Sequence, residues 1–178
     1  GAGKPIYSYA CRILSNLYLV NLGGYTQATY HESERNGCVH LSSYYEYENV
    51  SGGKWGVVDV NNKEVIPIEY NNKESIALFS AYSNRYTTAF QCLVAGATLP
   101  KSLSRQNITL IDKNSQVCFS GKEVGSTYTP IALSKFFLLK IENRSGLHYL
   151  VFNQALEPID TFYNYSTASY GNEFIARN

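Results

Sequence analysis

The chain contains no methionine, not even at position 1, so its natural start is expected to lie elsewhere. A removed signal peptide is compatible with that. The present first residues, Gly1-Ala2-Gly3-Lys4-Pro5, lack an apolar h-region and do not form one. The compartment stays open, with a secreted or cell-surface setting ahead of a cytoplasmic one. Charge is also scarce. Charged residues make up 16% of the chain, below the usual quarter, and the net charge is +1. No run of Lys or Arg forms a patch, so nucleic acid is not expected as a partner. The longest apolar stretches, such as Phe136 to Leu139, are far too short for a bilayer, and no membrane span is expected.

Catalytic and metal-binding signatures are missing too. His31, His40 and His148 fall in no HExxH or HxH arrangement. Cys11, Cys38, Cys92 and Cys118 form no CxxC pair, so no metal site or other cofactor is expected. An even count permits two disulfides in three connectivities; free, small, buried thiols are the simpler state. There is no GxSxG elbow. Gly52-Gly53-Lys54 lacks the upstream Gly and the following Ser or Thr of a phosphate loop. No residue is therefore nominated as catalytic, and the chain is expected not to be an enzyme. The pairs Glu32/Glu34 and Glu46/Glu48 would each share a face in an extended segment. Such an acid pair, or a Cys/His contact assembled in space, keeps a hydrolase as an alternative.

What is abundant is tyrosine, with 16 copies, and the turn-formers Asn and Gly, with 16 and 13. Tyr suits a pleated, half-buried surface, and Asn and Gly tolerate a positive φ. With 178 residues and 44% apolar content, the expectation is one all-β domain over 1–178. Four sequons occur, at Asn49, Asn107, Asn143 and Asn164; they carry meaning only in a secreting eukaryote.

One strand-turn-strand grammar recurs. Trp55 to Val60 is β-rich, Asn61-Asn62-Lys63 signals a turn, and Val65 to Tyr70 is again extended. Pro67 cannot donate to a ladder, which marks an edge strand or a strand end. Tyr44 to Glu48 precedes, joined through Asn49-Val50-Ser51-Gly52-Gly53 read as a turn, giving a three-stranded unit. Near the C-terminus, Phe136 to Ile141, Leu147 to Phe152 and Leu156 to Asp160 repeat the pattern, with Pro158 set against Pro67. Weaker copies cover Ala89 to Phe119 and Tyr18 to Gly24. The anchors Val20, Val58, Ile111 and Val151 are separated by 38, 53 and 40 residues, which suggests one insertion at Ala95 to Arg105. The expected units are 1–43, 44–88, 89–135 and 136–172, with 173–178 starting a further strand. Such tandem three-stranded units would form a propeller-like ring or a twisted open array.

Gly53-Lys54-Trp55-Gly56-Val57-Val58-Asp59, followed by Glu64-Val65-Ile66-Pro67 and Tyr70, resembles the WG-containing repeat, also called the KWG repeat. The likeness is close over about eighteen residues and loose over Ile108 to Phe119 and Gly146 to Tyr163, where His148 takes the place of Trp55 and Thr109 or Tyr149 that of Gly56. It implies a β-rich, tandem, non-enzymatic module of bacterial type, in which Trp55, Gly56, Pro67, Tyr70 and Pro158 are structural. The implied partner is another protein or another domain of a longer chain. The best binding candidates are Tyr44, Tyr45 and Tyr47, because Tyr gives amphipathic contact area at low entropy cost; Tyr45 and Tyr47 are expected on one face, Tyr44, Glu46 and Glu48 on the other. A carbohydrate-binding module using exposed Tyr faces is the alternative.

Overall fold

A computed structural model describes residues 6–33, 42–85, 87–100, 102–167 and 174–177. It is all-β. Three four-stranded antiparallel sheets follow one another along the chain. The first holds β1 (Tyr9–Leu14), β2 (Leu17–Ser33), β3 (Ser42–Val58) and β4 (Glu64–Tyr70). The second holds β5 (Ile76–Asn84), β6 (Thr87–Ala95), β7 (Ile108–Ile111) and β8 (Val117–Gly121). The third holds β9 (Thr127–Ala132), β10 (Phe137–Asn143), β11 (Gly146–Phe152) and β12 (Pro158–Phe162). β13 (Asn164–Thr167) and β14 (Phe174–Arg177) pair separately. Within each four-stranded sheet, spatial order is sequence order.

The sheets thus have four strands, not three, and meet at 71–75 and 122–126 rather than at 43/44, 88/89 and 135/136. In the second and third sheets the three-stranded reading leaves out the first strand; in the first sheet it splits β3 in two and leaves both β1 and β2 out of the unit. The segment Asn49 to Gly53 is not a turn either. β3 runs unbroken through it, with Gly24 opposite Gly52, so two Gly-Gly steps bend a continuous hairpin instead of ending it. Pro67, Pro130 and Pro158 all lie on edge strands, where a missing N–H leaves no interior ladder bond unmade.

The sheets stack face to face. Leu17, Leu19, Trp55, Val57 and Ile66 of the first meet Ile76, Leu93, Ala95 and Ile111 of the second. The opposite face of the second, carrying Phe90, Cys92, Val94, Ile108 and Leu110, meets Phe137, Leu139, Ile141 and Phe152 of the third. The middle sheet is therefore covered on both sides, and β6 reads as a buried strand: Cys92, Leu93, Val94 and Ala95 are all fully buried although they point alternately to opposite faces.

One turn recurs at the third-to-fourth strand connection of each four-stranded sheet. Asp59 Oδ1 accepts from the N–H of Asn61 and Lys63 at 2.8 and 2.9 Å. Asp112 does the same with Asn114 and Gln116 at 2.8 and 2.9 Å, and Asn153 with Ala155 and Glu157 at 3.0 Å each. The residue three places on has φ of +63°, +63° and +58° at Asn62, Ser115 and Leu156. Each turn is followed by the same bulge: Val58, Ile111 and Phe152 register against Glu64, Val117 and Pro158, while Val57, Leu110 and Val151 register against Ile66, Phe119 and Asp160. The matching positions are thus Val58, Ile111 and Phe152, one residue beyond the Val151 of the spacing argument. Trp55 then corresponds to Ile108 and Tyr149, not His148, and Pro158 to Glu64, three residues from Pro67.

Arg105 ties the pieces together. It lies in the 96–107 connection between β6 and β7, the expected insertion, and is 3% exposed. Its Nη1 donates to the carbonyls of Ser75 and Gly96 at 2.7 and 2.9 Å, and its main chain exchanges two hydrogen bonds with Tyr128 of the third sheet, at 2.8 and 2.9 Å. Burial lowers its pKa, and nearby Tyr70 raises it.

Three outcomes follow from packing and turn geometry. Trp55, the sole tryptophan and 5% exposed, fills the first seam, so Trp55→Ala should lower unfolding free energy by about 3–5 kcal/mol in urea titrations. Ser115→Gly should raise it by roughly 0.5–1 kcal/mol, because the left-handed conformation burdens a side chain there. Leu156→Gly, at nearly the same φ, should lower it by about 1–4 kcal/mol, since Leu156 is buried in the second seam. Equal signs for the two would contradict this account of the turn.

Candidate functional site

β1 pairs with β2 only from Leu17 to Asn21, and β4 pairs with β3 only from Trp55 to Val58. Beyond that, β2 and β3 continue together from Gly24/Gly52 to Ser33/Ser42. The result is a two-stranded arm that extends past the sheet by about 30 Å at 3.3 Å per residue.

The root of the arm is a glycine crossing held by a buried amide. Gly23, Gly52 and Gly53 have φ of +83°, +70° and +68°. Asn21 is fully buried; its Nδ2 donates to Gly52 O at 3.1 Å and its Oδ1 accepts from Gly24 N at 3.0 Å. A Cβ on Gly24 would come within 2.5 Å of Asn21 Oδ1, and one on Gly53 would overlap Asn21 Oδ1 and Gly24 N. The backbone of both strands therefore closes around one side chain.

Beside the root lies a hollow of about 220 Å³, lined by Tyr9, Asn49, Val50, Trp55 and Asn71 to Glu74. The Tyr9 and Trp55 rings meet edge-on, 5.4 Å between centroids at 64°. Lys73 Nζ sits 4.7 Å from the Tyr9 centroid and 5.8 Å from that of Trp55, and donates to Tyr9 Oη at 3.4 Å. Lys54 Nζ bonds Asn71 Oδ1. Trp55 is thus flanked by a cation and a second ring and is only 5% exposed.

The tyrosines named from sequence lie on the arm. Tyr44 registers against His31, Tyr45 against Tyr30, and Glu46 against Thr29. A register shift between Gln27 and Thr29 then sets Tyr47 and Glu48 together against Ala28. This bulge breaks the strict alternation expected from Tyr44 to Glu48. Of the other tyrosines there, Tyr25 and Tyr30 are 61% and 50% exposed. Glu32 registers against Ser43; Glu34, Cys38 and His40 lie outside the described residues.

The structural candidates are spread over two sheets. Gly56 lies under β4, where a Cβ would meet Ile68 Cα at 2.6 Å; only glycine lets the bulged edge strand approach this closely. Pro67 is in β4, Tyr70 ends β4 opposite Trp55, and Pro158 opens β12 opposite Phe152. Tyr70 has a raised pKa, chiefly from burial and also from Glu69, with Arg105 opposing. His148 lies opposite Ile141 in the third sheet, far along the chain from the arm. Among the described residues no group of three or more His, Cys, Asp or Glu comes together as a metal-ligand set.

Cys11, Cys92 and Cys118 are free thiols. Burial pushes Cys92 up to about 12, with Cys118 adding to the shift, so it is a neutral, unreactive thiol at physiological pH. Asn21 and Arg105 are the positions sequence reasoning missed. Asn21 carried a signal, a polar residue between Val20 and Leu22 followed by Gly23-Gly24; Arg105 carried none.

Gly53→Ala should loosen the arm at its root. Amides of 24–33 and 42–51 should exchange about tenfold faster or more, with the sheets unchanged. For the thiols, labelling of the native protein at pH 8 with an aromatic disulfide should modify Cys11 and spare Cys92 until the chain is unfolded, read by peptide mass mapping.

Set against known proteins, the chain matches no family model, no curated protein and no solved structure.

Proposed function

We propose that the chain is a non-catalytic, WG-repeat-like interaction module that binds another protein, or another domain of a longer chain, through its tyrosine-bearing arm. In this reading the three sheets are tandem repeats of one unit, set in a propeller-like or open twisted array. The recurring Asx-anchored turn and bulge support the repeat. The observation that carries the binding role is the arm itself. β2 and β3 run on together past the last residues that pair with β1 and β4, so among the described residues most of the arm has no further sheet neighbour. A stretch that meets the core at its base, where Val50 packs, and then bears Tyr25, Tyr30, Tyr44, Tyr45 and Tyr47 above a root held by Asn21, fits recognition. The carbohydrate alternative rests on the root hollow, whose Asn49, Asn71 and Asn72 amides would suit sugar hydroxyls.

The test is a displayed peptide library selected against the whole chain, with a glycan array run beside it. Enriched peptides should lose at least tenfold in affinity on a Tyr44→Ser/Tyr45→Ser/Tyr47→Ser variant, matching the loss of buried aromatic anchors of about 1.4 kcal/mol or more, and lose nothing on Lys73→Ala. Sugar binding abolished by Lys73→Ala and indifferent to the arm would replace the protein reading with the carbohydrate one.

A further inference from the structure

Resting on the arm's role above, we propose that the outer edge of β3, from Ser42 to Glu46, receives an extended cationic segment of a partner protein as an added antiparallel strand. Among the described residues no strand pairs with this edge, since the other side of β3 is taken by β2 and β4 begins its pairing only at Trp55. An unpaired edge offers a row of main-chain donors and acceptors to any strand that reaches it. The stretch from Ser42 to Glu46 keeps a continuous register with β2, opposite Ser33 to Thr29. The bulge at Tyr47-Glu48 ends that regular edge, so the added strand is short.

Charge selects what fills the edge. The described arm residues, 24–33 and 42–51, contain Glu32, Glu46 and Glu48 and no Lys or Arg. The arm is thus −3, counting His as neutral, in a chain whose net charge is +1, which leaves +4 for the rest. Two arms of separate copies repel one another, so edge-to-edge pairing between copies is disfavoured, as acidic edges generally arrange. A strand bearing Lys or Arg is attracted instead. Tyr25 of the same arm is 61% exposed, and an exposed tyrosine ring face also accepts cations. Main-chain pairing supplies the geometry and the glutamates choose the sign.

The test titrates the whole chain against a labelled ten-residue peptide of alternating lysine and valine, read by fluorescence anisotropy. Binding should appear at low salt and weaken about tenfold or more at high salt. A glutamate–valine peptide should not bind. The lysine peptide methylated on the amides of one edge should bind about tenfold more weakly, though its charge is intact. Glu46→Lys/Glu48→Lys, checked for an unchanged circular dichroism spectrum and melting temperature, should reverse the preference in favour of the glutamate peptide. Equal binding of the methylated peptide would reduce the effect to charge alone and overturn strand addition. Indifference to peptide sign, or a reversed variant that keeps the lysine preference, would overturn the cationic partner. Salt-sensitive self-association that displaces the peptide would assign the edge to a second copy and also overturn it. If library peptides need the arm tyrosines yet are neutral or acidic, the arm's role stands and this inference alone fails.

Discussion

The structure depends on mutual cover between sheets. The second sheet is apolar on both faces: Leu93, Ala95 and Ile111 point one way, and Cys92, Val94 and Leu110 the other. A lone four-stranded sheet of that kind cannot exist in water. Each buried aliphatic side chain contributes roughly 1.5–3 kcal/mol only when a neighbour removes it from solvent. The first sheet covers one face with Trp55 and Val57, and the third covers the other with Phe137, Leu139 and Phe152. The stack is also directional. Val57, Leu110 and Val151 occupy matching register positions, and Val57 and Leu110 each look toward the following sheet; Ile111 and Phe152 look back.

That direction is set locally by the turn. A carboxylate or amide oxygen at Asp59, Asp112 or Asn153 gathers two N–H groups, and the left-handed residue that follows fixes the entry into the next strand. The bulge then re-aims the strand by one residue, which flips the face that later side chains present. Three copies of one small motif thereby phase twelve strands. At Leu156 the motif accepts a strained backbone because its side chain is buried in the seam; this residue shows packing overriding turn preference.

Much of the fold was legible in the sequence, and the failures have physical causes. The third and fourth strands of each sheet were readable because β-branched runs flank an Asn- or Asp-rich turn. The first strands were not. β5 contains Ala77, Ser80 and Ala81, which blur any period, and β9 contains Pro130, tolerated only because β9 is an edge. The Gly-Gly pairs read as turns, since sequence shows that glycine permits a bend but not that a second Gly pair lies across from it. The one-residue slip at Val151 arose because Asn153 stands where the other turns have Asp, and Leu156 hides the left-handed position. The cluster Tyr44, Tyr45 and Tyr47 stands in the sequence, but the arm that carries it does not: nothing local announces that β1 and β4 stop short. Arg105 is legible only in three dimensions, as a cation whose partners are carbonyls drawn from the 71–75 connector and the end of β6.

Core and arm thus differ in chemistry, with apolar residues fixing the stack and the arm carrying five tyrosines and the glutamates Glu32, Glu46 and Glu48. The claim beneath both is that the middle sheet is shielded on two sides. Native-state hydrogen exchange measures that most directly. The account predicts that the amides of Leu93, Val94, Leu110 and Ile111 exchange only through global unfolding, while those of β12 and the arm open at lower free energy. Amides in β6 and β7 that exchange as readily as those in β12 would contradict it.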